Sequence, residues 1–183
     1  HASSCCEMIG ELCMYMSQTG YQPLSALEAE ILMAGIMLDT KNYTINTGMR
    51  TFEISSYLRS LGADPIRIRR FFKNEKGVYK DKLTIIDNAE IYFTSFAISK
   101  VADIEITEEF AATASQAADE LLSLKGVDAS FVLFENQKTI KVSARSNESI
   151  NVQIIMEKIG GGGHQNIAGA QLDCTLDEAE ELL

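Results

Sequence analysis

The hydrophobic period of this chain changes near residue 90, and that change limits it to a helical part followed by a mixed α and β part. Over Ala2 to Gln18, Met8, Ile9, Leu12, Cys13 and Met16 recur at helical spacing, with Ser3 or Ser4 placed to cap the start and Gly20 the end. Ser25 and Glu28 form a capping box that opens the apolar stretch Ala26 to Leu38, which reads as a second, largely buried helix. Arg50 to Leu61 repeats the spacing and stops at Gly62, and Asp64-Pro65 restarts a helix in cap-then-proline order. A connecting helix runs to about Ala89.

Beyond it the pattern is different. Ile91 to Ser99 and Ala129 to Glu135 are rich in aromatic and β-branched residues, Thr139 to Ala144 alternates, and Asn136-Gln137 reads as a hairpin turn. Thr107 to Leu124 reads as a helix with a Thr cap and Glu108-Glu109 in its first turn. Asn151 to Ile159 is one more helix, the glycine run after it a loop, Gly169 to Cys174 a strand, and Thr175 with Glu178 a capping box for a last helix. The expected order of the second part is therefore β-α-β-β-α-β-α. The expected fold is α/β of the mixed α+β kind, divided into a helical part over 1–62, linker helices over 63–90 and a sheet domain over 91–183.

Composition narrows the function. Asp and Glu outnumber Lys and Arg by 26 to 16, a net charge of −10 that repels duplex DNA and favours a small anionic ligand, with metal ions offsetting the acidic field. Cys5, Cys6, Cys13 and Cys174 show no CxxC pairing and only two histidines accompany them, which argues against a zinc site or a disulfide framework and for reduced thiols in the cytoplasm. No run of about 18 apolar residues occurs. The abrupt opening at His1 into a helix suggests a piece of a longer chain.

Gly160-Gly161-Gly162-Gly163-His164 is the main chemical signal. Four glycines cost backbone entropy, and they allow N–H groups to converge on phosphate oxygens while His164 adds a donor. The helix before them presents its negative end, so amides and His164 must do the binding. The alternative is a helix-ending glycine and a plain turn, for which one glycine would suffice. Arg145, at a strand end, has the fork geometry that suits phosphate, or is a solvated strand-end charge. Asp39 leaves an apolar helix and is either a metal ligand or a helix-end carboxylate turned to water. Asn42 to Arg50 could line a ligand or form a simple loop.

Three segments together resemble one family. Ala34 to Asn42, followed by Thr47-Gly48-x-Arg50-Thr51-Phe52-Glu53, resembles the last motif of the DHH phosphoesterase domain. Ser143 to Ser146, Ile150 to Lys158, Gly160 to His164 and Ala168-Gly169 resemble its DHHA1 partner domain, in the order and spacing of the GdpP-type cyclic di-AMP phosphodiesterases. The resemblance covers nearly the whole chain. It implies two Mn²⁺ ions that activate water against a phosphodiester, with Asp39 as one metal ligand and with Ser143, Arg145, Gly161, Gly162, Gly163 and His164 holding the substrate, joined by Arg50. The implied substrate is cyclic di-AMP, cleaved to the linear dinucleotide, or a short oligoribonucleotide or phosphoadenosine. A binding module related to the DHHA1-like domains of alanyl-tRNA synthetases is the alternative of another class.

The His, DxD and DHH motifs that supply the family's other metal ligands have no counterpart here, and Asn46 stands where a basic residue is expected. The implied chain is thus the substrate-holding part of a longer hydrolase, inactive alone, whose partner is the DHH half of the same protein. The resemblance also allows a homodimer, and a membrane-anchored parent around a cytoplasmic domain.

Overall fold

The computed structural model describes residues 2–102, 106–107, 109–136, 138–147 and 149–183. It forms two compact units, His1–Lys73 and Asn74–Leu183. Among the described residues no helix is long and apolar enough to cross a membrane.

The first unit is helical: α1 (Cys5–Gln18), α2 (Ala26–Asp39), α3 (Met49–Ser60) and the single turn α4 (Pro65–Ile68). The caps expected from the sequence set the boundaries. Ser4 Oγ accepts from the Glu7 amide at 3.0 Å, Ser25 and Glu28 close their box in both directions, and Asp64 Oδ1 accepts from the Ile66 amide at 3.0 Å. Gly20 and Gly62 follow α1 and α3 with φ of +92° and +103°, the left-handed region that glycine enters at no steric cost. Ala29, Met33, Ile36, Ile54, Leu58 and Ile68 form the core between the helices.

Two glycines let the helices touch. Any Cβ at Gly10 would stand 2.7 Å from Ile54 Cγ2, and one at Gly35 would overlap Cys6 Sγ. The helix axes can approach there only because no side chain intervenes. Burial is one-sided on α2: Ala29, Met33, Ile36 and Met37 point inward, whereas Leu27, Ile31 and Leu38 are exposed. The expectation of a largely buried α2 is corrected accordingly. A 14-residue apolar helix that packs along one stripe leaves the rest of its surface uncovered.

Glu7 is the most deeply buried charge of this unit among the described residues, 1% exposed. It accepts from the Ser3 amide at 3.2 Å, the Ser3 hydroxyl at 2.5 Å and the Thr51 hydroxyl at 2.7 Å, which ties α1 to α3. Burial alone would push its carboxyl up, but the donors of Ser3 and Thr51, helped by the Arg50 charge, outweigh it and hold it below the usual 4.5.

In the second unit, α5 (Lys76–Asp87) precedes a six-stranded sheet. Its strands are β1 (Ala89–Tyr92), β2 (Phe96–Val101), β3 (Ala129–Asn136), β4 (Thr139–Ser146), β5 (Gly162–His164) and β6 (Ile167–Leu172), in the spatial order β1-β2-β3-β4-β6-β5. β2 and β3 are parallel and joined through α6 (Phe110–Leu121), and every other neighbouring pair is antiparallel. One core lies toward α5 and α6, around Ile85, Phe110, Leu121, Val132 and Phe134. The other gathers Phe131, Leu133, Val142 and Ala144 with Val152 and Met156 of α7 (Val152–Lys158) and Ala179 of α8 (Leu176–Glu181). β3 serves both, its first six residues being buried on alternate faces.

Three local expectations are corrected. Ile91 to Ser99 is two strands, because Phe93 and Thr94 turn the chain with φ of +48° and +68°, a conformation these residue types do not advertise. Thr107 does not cap α6: Glu109 stands at the cap without a side-chain bond, and Glu108 lies outside the described residues. The glycine run is not all loop, since Gly162 to His164 is an edge strand paired with β6. Gln137 of the expected hairpin turn also lies outside the described residues.

Two outcomes are expected of the first unit. Gly35→Ala should lower its stability by about 1–3 kcal/mol through the overlap with Cys6, and Cys6→Ala in the same chain should recover part of the loss, both read from thermal unfolding by circular dichroism. Because the folded-state pKa of Glu7 is depressed, its stabilisation is complete above the usual 4.5 and fades as pH falls through the folded value. Hydrogen exchange of α1 amides, corrected for intrinsic rates, should show protection falling on acidification in the natural chain and less so in Glu7→Gln.

Candidate functional site

The site grows from the alternation of β4. Ile140, Val142 and Ala144 enter the core on the α7 and α8 side, so Lys141, Ser143 and Arg145 lie on the face that carries α6. α6 covers this face only as far as β4. Ser115 Oγ lies 3.3 Å from Ser143 Oγ, and Asp119, one turn further along α6, lies 3.6 Å from Arg145 Nε. The next two strands, β6 and β5, continue the face.

Register sets what stands beside what. Opposed residues of an antiparallel pair share a face, so Ser143, Gly169 and Gly162 form one row across the three strands. Arg145, Ile167 and His164 form the next row, and Lys141 with Gln171 the row on the other side. The middle row has almost no side chains. Over Ser143 and Gly169, and toward the Lys141 and Gln171 row, opens a shallow pocket of about 300 Å³, lined among others by Ser115, Lys141, Ser143, Gly161, Gly169 and Gln171, with Gly162 beyond its edge.

Arg145 is neither a solvated charge nor a free fork. Its side chain is 12% exposed, and one terminal nitrogen donates to the Ala144 carbonyl at 2.9 Å. Nε has no hydrogen-bond partner, because 3.6 Å to Asp119 is ion pairing but too long for a hydrogen bond. His164 is exposed at the end of β5, beside the two-residue turn Gln165-Asn166. That turn is fixed from behind: Ser146 donates its amide to the Asn166 carbonyl at 3.0 Å, and Val152 donates to the Gln165 carbonyl at 2.9 Å.

The four glycines have different reasons to be glycine. Gly160 ends α7 with φ +84°, and the Gly161 amide returns to the Met156 carbonyl at 2.8 Å, a helix-ending arrangement that removes this amide from any ligand. Gly161 presses on β6, where a Cβ would overlap the Gly169 carbonyl. Gly163 has φ +149° and would bring a Cβ within 2.5 Å of the Ile167 carbonyl oxygen. Gly169 in turn lies against Val142, with 2.8 Å from a Cβ to the carbonyl oxygen. Gly162 alone of the run has no such reason. Its φ lies outside the left-handed region, and a Cβ there would meet nothing within 4 Å.

Asp39 and Arg50 belong to the first unit. Asp39 is the exposed last residue of α2, and its charge helps raise the pKa of Cys6, after burial and ahead of Cys5. Directly after it, Lys41, Asn42 and Tyr43 take φ of +45°, +56° and +64°, and Asn46 +53°. Consecutive left-handed residues without glycine cost about 1–3 kcal/mol each and persist only when their surroundings enforce them. Here buried Thr40 accepts from the Tyr43 amide at 3.0 Å, while Tyr43 stacks on Phe52 at 5.5 Å and reaches Ser55 at 3.1 Å. Sequence reading did not find this strain. Arg50, expected beside a ligand, is ion-paired with Glu11 of α1.

Among the described residues no group of three or more His, Cys, Asp or Glu could hold a metal ion. The surroundings of Asp39, among the described residues, therefore do not fit a two-metal centre.

A family model described as the DHHA1 domain matches residues 94–183. The chain is 46% identical over its whole length to a cyclic-di-AMP phosphodiesterase, PdeA, of Listeria monocytogenes, and 43% identical to the cyclic-di-AMP phosphodiesterase GdpP of Geobacillus thermodenitrificans. It spans 28% of the length of either relative. Among solved structures, an exopolyphosphatase-related protein from Bacteroides fragilis matches 99% of the chain with a TM-score of 0.84 and 25% identity, the match covering 55% of that protein.

The glycine geometry gives a direct test. Gly162→Ala should leave the thermal midpoint almost unchanged, its effect on stability staying within the roughly ±0.5 kcal/mol usual for surface changes. Gly161→Ala and Gly163→Ala should each lower it, because their Cβ atoms meet backbone.

Proposed function

We propose that this chain, whose residues 94–183 match the DHHA1 domain family, is the substrate-holding part of a phosphodiesterase that opens cyclic di-AMP to the linear dinucleotide. The observation that carries the proposal is Gly162: a glycine that neither backbone conformation nor packing explains, in the middle of a side-chain-free row. Its use is to let the ligand reach the sheet surface.

In this reading a phosphate of the substrate settles over Gly169 and Gly162, with Ser143 as a hydroxyl donor from one side. His164 and Arg145 border the ligand in the adjacent row, about 7 Å along the strands. Asp119 holds the Arg145 guanidinium against β4, so its position is set before a ligand arrives. The cyclic dinucleotide has two phosphates, and this row accounts for the grip on one.

The relatives are hydrolases, and the family reading assigns them two Mn²⁺ ions that supply an activated water. Asp39 would be the one ligand from this chain, on a helix end followed by a strained, pinned loop. The other ligands would come from elsewhere in a protein more than three times as long, as the relatives are.

Isothermal titration of the 183-residue chain with cyclic di-AMP, without metal, should show binding that Gly162→Val weakens at least tenfold at an unchanged melting temperature. His164→Ala should weaken it as well. Adding Mn²⁺ should produce no turnover by this chain. Undiminished binding by folded Gly162→Val would refute the glycine-row reading, and manganese-dependent hydrolysis would refute the division of labour.

A further inference from the structure

The end of the first unit bears a feature that the glycine site does not use. Ile66, Arg69, Arg70, Phe72 and Lys73 line a second depression, of about 440 Å³. The chain as a whole carries a charge of −10, yet this segment concentrates three cations within five residues and has no acidic residue of its own between Pro65 and Lys73. Among the described residues none of these three cations has an acidic partner, whereas neighbouring Arg67 is paired with Glu30 at 2.6 Å and Asp64 at 4.0 Å. Phe71 and Phe72 are 56% and 39% exposed in the same segment.

The patch stands on a fixed base. Ile68 is fully buried in the helical core, and α4 carries its Asp64 cap. Successive turns tie the segment down, Arg69 N to Pro65 O at 3.0 Å, Arg70 N to Arg67 O at 3.0 Å and Phe71 N to Ile68 O at 2.9 Å. The backbone is ordered by these bonds, while the charged and aromatic side chains remain in solvent. Exposed phenylalanine beside uncompensated guanidinium groups is the combination that takes a stacked base together with its phosphate.

We propose that this depression is a second binding site, specific for a linear nucleotide, with the base on Phe72 and the phosphate among Arg69, Arg70 and Lys73. The site is formed within the first unit and owes nothing to the glycine row. A linear ligand fits better than a cyclic one because a free terminal phosphate carries more charge for three cations to neutralise.

The test is isothermal titration of the whole chain with the linear dinucleotide pApA, with adenosine as the uncharged control, at low and high salt. The natural chain should bind pApA at this site and Arg69→Glu/Arg70→Glu should remove one equivalent of binding, whether or not the glycine row binds pApA too. Phe72→Ala should weaken the same equivalent at least threefold, and adenosine should give no comparable heat. Circular dichroism of each variant establishes folding, and Lys73→Glu, an independent charge change, should weaken the same equivalent. An unchanged stoichiometry and affinity in folded Arg69→Glu/Arg70→Glu, or adenosine binding as tightly as pApA, would overturn the proposal. Loss of the equivalent in the double variant with Gly162→Val binding pApA normally at the patch would support it independently of the glycine site.

Discussion

The backbone ladder that clamps β4 between β3 and β6 is the constraint on which the rest of the second unit depends. Through it, eight residues of β4 are fixed in register against β3 and six against β6. A slip of one residue would exchange Ile140, Val142 and Ala144 for Lys141, Ser143 and Arg145, burying charge in the α7 and α8 core. Fully buried Phe131 and Leu133 on the same face of β3 each contribute about 1.5–3 kcal/mol to holding that register. The open row of Ser143, Gly169 and Gly162 is a by-product of this locking, and so is its precision.

The two units use different means to build rigidity. In the sheet, glycine permits backbone to approach backbone, at Gly161 on β6 and Gly169 on β4, and the resulting surface is flat and bare. In the helical unit, left-handed residues without glycine follow Asp39 and are held by Thr40, Tyr43, Phe52 and Ser55. Strain of that kind is stable only because a buried hydroxyl and an aromatic stack compensate for it. The cations differ in the same way: Arg145 and Arg50 are tied to Asp119 and Glu11, whereas Arg69, Arg70 and Lys73 are left to solvent.

The candidate site was legible in the sequence as a set of residues, but not as an arrangement. The run Gly160 to His164, Arg145 and Asp39 stand out by residue type and context, and the family resemblance named the same positions. The reading of the run as a converging set of amides does not describe its geometry, because Gly161 spends its amide on Met156 and Gly162 to His164 pair with β6. Asp119 and Ser115 were missed. Nothing in the helix Phe110–Leu121 marks them apart from other polar residues, since their role arises only when α6 lies along β4.

What the sequence determined alone is local. Ser25 with Glu28, Asp64 before Pro65, Thr175 with Glu178 and the glycines after α1, α3 and α7 fix helix ends, because each acts through hydrogen bonds or steric limits within four residues of itself. The tertiary structure decided which of four identical glycines is free of structural duty, how far α6 covers the sheet, and that one apparent strand turns back at Phe93. These depend on contacts between residues distant in the chain, such as Gly161 with Gly169 and Ser143 with Ser115, and no local pattern specifies which distant backbone a given residue will meet.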